Sequence, residues 1–215
     1  MIDQPDLSSV LASVRTEPVQ QRSAQRIALL LEAAAELIDE NGIDGLTTSD
    51  VATRSGSSIG VVYRYFPNIQ SLLRALAASF MSDYADRIFS SLKGDAGEWR
   101  NSFDVAVDAF VDLARTRPGF RALRFGDVIA DRFLSPDLSN NAVLARSLAG
   151  LLGEKYEFEP SEQFIFELEV VVEITDALLK RAFHADRQGD ERFINAARSI
   201  GRDYLRDHTD LPSES

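Results

Sequence analysis

Residues 47–72 constrain the fold more than any other stretch of this 215-residue chain. Thr47 followed three residues later by Asp50 is a helix-start signature, because the threonine hydroxyl can accept from the amide one turn on. Val51 and Ala52 give the helix that follows a small apolar face. Gly56 permits a sharp turn, and Ser57 or Ser58 can cap a further helix running to about Tyr65. Pro67 disfavours helical geometry at Phe66, and Asn68 can cap the next helix. Two short helices with a tight turn between them, then a third start after a proline, is the layout of a helix-turn-helix.

The rest of the chain continues in helical spacing. Residues 1–20 mix Pro, Ser, Gln and Asp with little periodicity and read as a flexible arm. From Arg22 to Asn41 the apolar residues Ile27, Leu30, Leu31, Ala34 and Ile38 recur at three-four spacing, and Asn41-Gly42 supplies a stop. Ile69, Leu72, Leu73, Leu76, Phe80, Tyr84 and Ile88 predict a helix long enough to connect two domains. A soft segment at 93–97 follows, then Trp99, Phe103, Ala106, Phe110 and Leu113 on one face, broken by Pro118-Gly119. A short helix is expected over Phe120–Phe125 and another from Ser135-Pro136. Pro160-Ser161 starts the longest late helix, to about Gln188, and Gly189-Asp190 turns into a last one carrying Phe193, Ile194, Ala197, Ile200, Tyr204 and Leu205. No run alternates with period two for long, so the expected class is all-α.

Composition narrows the function classes. No stretch approaches the roughly 18 unbroken apolar residues of a membrane span, and no basic-then-apolar leader opens the chain, so a cytoplasmic protein without a membrane partner is expected. There is no cysteine, hence no disulfide and no thiolate metal site. Net charge is −11, which suits a nucleic-acid binder poorly unless one patch makes the contact. Residues 15–80 hold six Arg against seven acids, whereas residues 81–215 hold 17 basic and 25 acidic residues. The acids of the first segment lie mostly on the first helix (Glu32, Glu36, Asp39, Glu40), where they can face away from DNA.

The Thr47-Thr48 helix start, the Gly56-Ser57-Ser58 turn, Gly60, the Tyr63-Arg64-Tyr65-Phe66 run and the leucines after it resemble the DNA-binding segment of the tetracycline-repressor (TetR) family of transcription regulators. The resemblance is specific over residues 22–80. It implies a helix-turn-helix domain over 21–67 and a helical ligand-binding and dimerisation domain over 68–210, with 68–90 as connecting helix. It also implies that Thr48, Ser58, Gly60, Tyr63 and Tyr65 contact DNA, with Ser57, Ile59 and Arg64 beside them. Hydroxyls suit phosphate oxygens, and Gly60 lacks a side chain where the reading helix approaches most closely. Two places depart from the family. Ile59 stands where a basic residue usually lies beside the glycine, and Ile69 or Gln70 where a lysine often follows the proline. Ile59 could instead touch a thymine methyl, while Arg54, Arg64, and Arg22 or Arg26 restore part of the charge.

Further along, Trp99, Phe103, Phe110, Phe120, Arg124 and Phe125 are the candidates for a small-molecule pocket of the kind the family implies; each could equally be core packing. The helix over 161–188 is apolar on several sides, which calls for burial on more than one side; it reads either as the central helix of a monomeric bundle or, as the resemblance implies, as a face against a partner subunit. Asp104, Asp108 and Asp112 form a four-residue carboxylate ladder. It reads either as a cation site or, more plainly, as a solvated face paired with Arg115 or Arg124. His184 and His208 lie on different helices, no His-x-x-x-His pair exists and no Gly-rich phosphate loop occurs, so no catalytic or metal residue and no cofactor is expected. The expected function is a ligand-responsive regulator, a repressor binding pseudo-palindromic double-stranded operator DNA as a homodimer and released by a small-molecule effector. The alternative is a helical small-molecule binding protein or enzyme on the same fold that has lost DNA binding.

Overall fold

The computed structural model describes residues 18–92, 101–125 and 138–209. Nine helices form among the described residues, and no strand. They are α1 (Pro18–Asn41), α2 (Thr48–Arg54), α3 (Ile59–Tyr65), α4 (Ile69–Leu92), α5 (Asn101–Thr116), α6 (Phe120–Phe125), α7 (Asn140–Tyr156), α8 (Glu162–Ala182) and α9 (Glu191–His208). The expected arm, through residue 17, and the segment at 93–97 lie outside the described residues. Helix α1 is described from Pro18, before the expected Arg22.

The chain divides into two compact units. The first holds the described residues 18–82 and 118–125, the second 83–117 and 138–209. The division thus falls inside α4, between Ser82 and Asp83, further along the chain than the 67/68 junction read from the sequence. The first unit is sealed by Leu30, Ile38, Val51, Val62, Leu72 and Leu76, all at most 1% exposed. Each such burial stabilises the fold by about 1.5–3 kcal/mol.

Helix α6 belongs to the first unit, although the sequence order suggested the second. The Phe120 ring packs edge-on against Phe80 at 5.5 Å, and Leu123 is buried. Gly119 lets this happen: its φ is +72°, and a Cβ there would lie 2.7 Å from the Ala35 carbonyl oxygen of α1. Arg121 reaches Asp39 of α1 at 3.9 Å.

In the second unit α9 packs along α8 and α5, and α7 along α8. Tyr84 meets Phe110 edge-on at 6.1 Å and donates its hydroxyl proton to the Ala106 carbonyl at 3.0 Å. Ser161 caps α8 by accepting from the Phe164 amide at 3.1 Å. Helix α8 ends at Ala182, not near Gln188. The cause is tertiary. Phe183 is buried and its ring lies against Gly189 and the start of α9, so the chain leaves the helix to plug that corner. The Asp190 amide then closes the turn on the Ala182 carbonyl at 3.0 Å. Helix α8 buries Phe164, Leu168, Val171, Val172 and Leu179, yet leaves Phe166 55% exposed.

Candidate DNA-binding face

The outward face of α3 follows from what α3 buries. Val62 is fully buried and Phe66, one turn on, nearly so. With 3.6 residues per turn, that turns Ile59, Gly60, Tyr63 and Arg64 outward together. All four are exposed, Ile59 at 42% and Tyr63 at 52%. Helix α2 is started by Thr47, whose hydroxyl accepts from the Asp50 amide at 3.1 Å. Thr48 is therefore free of capping and instead donates to the Tyr63 hydroxyl at 3.2 Å. This pair joins the start of α2 to the outer side of α3. Ser58 is the N-cap residue of α3, but its hydroxyl makes no capping bond and is exposed. Tyr65 is half-buried and donates to Ser23 of α1 at 3.5 Å. Ser57 accepts from Arg26 of α1 at 3.4 Å. Neither link to α1 has a sequence signal, because the partners lie far apart in the chain.

Gly60 is informative because the subunit does not need it. A Cβ at this position would meet only the Ser58 hydroxyl, at 4.0 Å. Glycine in a helix costs about 0.5–1 kcal/mol relative to alanine. No packing contact within the described residues explains that cost.

The charge on this side is smaller than the arginine count suggests. Arg54 donates to Glu36 at 3.1 Å and to Glu40 at 2.6 Å. Its hydrogen bond holds the Glu40 carboxyl below the usual carboxylate range, and the two carboxylates push the guanidinium pKa up. Arg54 therefore does not restore the charge missing at Ile59, and two acids of α1 do not simply face away. Arg22, Arg26, Arg64 and Arg74 have no carboxylate partner among the described residues.

Among the described residues, Phe103, Phe110 and Phe120 do not come together. Phe120 packs in the first unit on Phe80. Phe110 is buried against Tyr84, and Phe103 lies directly over Gly201 of α9 with no room for a Cβ there. Trp99 lies outside the described residues, as do the side chains of Arg124 and Phe125. A groove of about 510 Å³ runs between α4 and α5 in the second unit, floored by Val105 and Ala109 and rimmed by Asp86, Arg87, Asp108 and Asp112; of the described candidates, Phe103, Phe110 and Phe120 do not line it.

The aspartate ladder is a paired face, with other partners than the sequence suggested. Asp104 pairs with Arg202 at 2.9 Å and Asp108 with Arg198 at 2.5 Å, both on α9. Asp112 pairs with Arg87 of α4. Arg115 instead reaches Glu191 and the Gln188 carbonyl. Burial pushes the Asp104 carboxyl up, against the pull of Arg202 and Arg198. No group of three metal-ligating side chains occurs among the described residues. Nor is any helix among them long and apolar enough to cross a membrane.

The model of bacterial regulatory proteins of the tetR family matches residues 30–76, and that of the tetracyclin repressor-like C-terminal domain matches residues 97–209, more than half of the chain. A TetR-family transcriptional regulator from Streptomyces coelicolor superposes with a TM-score of 0.76 at 34% identity, covering 88% of this chain and all of that one. The class A tetracycline repressor protein of transposon 1721 from Escherichia coli is 34% identical over 109 residues, 46% of this chain and 49% of that protein. The uncharacterized HTH-type transcriptional regulator YvdT of Bacillus subtilis is 33% identical over 79 residues, 37% of this chain and 40% of that protein. The chain thus spans about half the length of the curated relatives it matches.

Proposed function

This chain belongs to the tetracycline-repressor family of DNA-binding transcription regulators, and on that premise we propose that it is a ligand-responsive repressor acting as a homodimer. Each subunit lays the Ile59–Gly60–Tyr63–Arg64 face of α3 in a major groove, and the two read the half-sites of a pseudo-palindromic operator. The observation that carries this is Gly60, an exposed helical glycine with open space over it and no internal reason to be glycine. Around it, the hydroxyls of Thr48, Ser57, Ser58, Tyr63 and Tyr65 offer phosphate contacts that fix register. Ile59, apolar and 42% exposed, is suited to a thymine methyl.

Dimerisation is supported by α8 and α9, which pack on each other and leave Phe166 and Ile200 exposed at 55% and 42%. A small molecule bound by the second unit lowers operator affinity to the extent that it binds the DNA-free state better. Selection of duplexes from a random-sequence pool, followed by a mobility-shift titration, tests the reading. A recovered inverted repeat bound by two chains supports it. Failure to enrich any duplex would favour the rival, a small-molecule binding protein on the same fold.

A further inference from the structure

We infer that α1 carries a phosphate seat of its own, formed by Arg26 with Ser57 and extended by Arg22, which grips the DNA backbone beside the α2–α3 turn. The inference rests on α3 being the DNA-reading helix, and it names where this chain obtains the positive charge its reading segment lacks.

Two contacts put the N-terminal half of α1 alongside the reader. The Arg26 guanidinium donates to the Ser57 hydroxyl in the turn at 3.4 Å. Three residues earlier, Ser23 accepts from Tyr65 at the far end of α3, at 3.5 Å. The stretch 22–26 therefore borders the reader from its turn to its last residue. Arg22 stands four residues before Arg26, on the same side of the helix. Both arginines are exposed, and neither has a carboxylate partner among the described residues.

Charge decides which arginines serve. The chain carries a net −11, so it gains nothing from long-range attraction to DNA and depends on local cations. Arg54, next to the same turn, is neutralised by Glu36 and Glu40, and Arg121 lies by Asp39. Position 59 is isoleucine. On the α1 side of the turn, Arg22 and Arg26 are what remains among the described residues. A guanidinium has five donors in a planar fork. The single long bond to Ser57 leaves most of them for a phosphodiester, with the serine hydroxyl as a further donor.

The test is the salt dependence of binding by the full chain, on a duplex selected by the wild type and on an unselected duplex of equal length. Each phosphate neutralised contributes about 0.9 to the slope of log affinity against log salt. With two chains on each duplex, R26Q removes two contacts, so it should bind both duplexes roughly 30-fold more weakly at about 0.15 M salt, with a slope shallower by about 1.8. The double variant R22Q/R26Q should lose about 3.6. R26K should regain the slope, S57A should weaken binding without changing it, and R54Q should leave it unaltered. Arg26 is exposed, so thermal melting of R26Q should match the wild type. A wild-type slope in R26Q would overturn the seat while leaving the reader intact. A wild type that binds neither duplex saturably would overturn the reader, and the seat with it.

Discussion

Gly119→Ala should destabilise the protein by about 2–4 kcal/mol, and Gly42→Ala by only about 0.5–1 kcal/mol. Both glycines have left-handed backbones, with φ of +72° and +77°. For any other L-residue this conformation costs about 1–2 kcal/mol. Alanine returns about 0.4–1 kcal/mol by restricting the unfolded chain. At Gly42 nothing lies within 4 Å of the added Cβ, so no other contribution enters. At Gly119 the Cβ would sit 2.7 Å from the Ala35 carbonyl oxygen and 3.1 Å from its Cα. Backbone cannot swing aside as a side-chain tip can, so α6 or α1 must shift; such overpacking costs about 1–3 kcal/mol. Urea unfolding followed by circular dichroism measures both variants against the wild type. Equal losses in the two would refute the close seating of α6 on α1, and with it the assignment of α6 to the reader's unit.

The Asp190 carboxyl, which accepts from the Arg192 side chain and from its backbone amide, is held down to about 2. A depressed carboxyl stabilises the fold above its ordinary value of 3.8, and that contribution disappears as pH falls through about 2. Carbon-detected NMR titration of Asp190 should give a midpoint near 2 that moves up with salt, since Arg192 is 88% exposed; a midpoint at 3.8 in low salt contradicts the geometry. Phe166→Glu should convert a particle of twice 23.8 kDa into a single chain in light scattering, and a particle of unchanged mass would remove α8 from the proposed dimer surface. Thr47→Ala should cost about 1 kcal/mol by removing the α2 cap, read by the same urea assay; no loss would mean the Asp50 amide finds another acceptor.

Local features were legible in the sequence wherever one residue decides one backbone event. Thr47 starts α2, Ser161 starts α8 and Asp190 starts α9, each by accepting from an amide two or three residues on. Asn68 does the same for α4, taking the Ser71 amide at 2.8 Å. What the sequence could not display were events set by partners distant in the chain. Periodicity carried α8 to about Gln188, but burial of Phe183 against the start of α9 ends it at Ala182. Arg54 looked available because its neutralising acids sit 14 and 18 residues away on α1. The aspartate ladder drew its partners from α9 and α4, not from Arg115 nearby. Phe120 follows a helix of the second unit yet packs in the first, because Pro118-Gly119 turns the chain back onto α1.

The most direct test of the α3 reading face is Gly60→Glu, measured for stability and DNA binding on one preparation. The open space over Gly60 and the gain in helix propensity, about 0.5–1 kcal/mol, predict a variant at least as stable as the wild type. A glutamate in the first turn also suits the helix dipole. The same side chain would place bulk and negative charge against the phosphates, so binding to the selected duplex should be lost. A stable Gly60→Glu that binds its duplex with wild-type affinity would contradict the account.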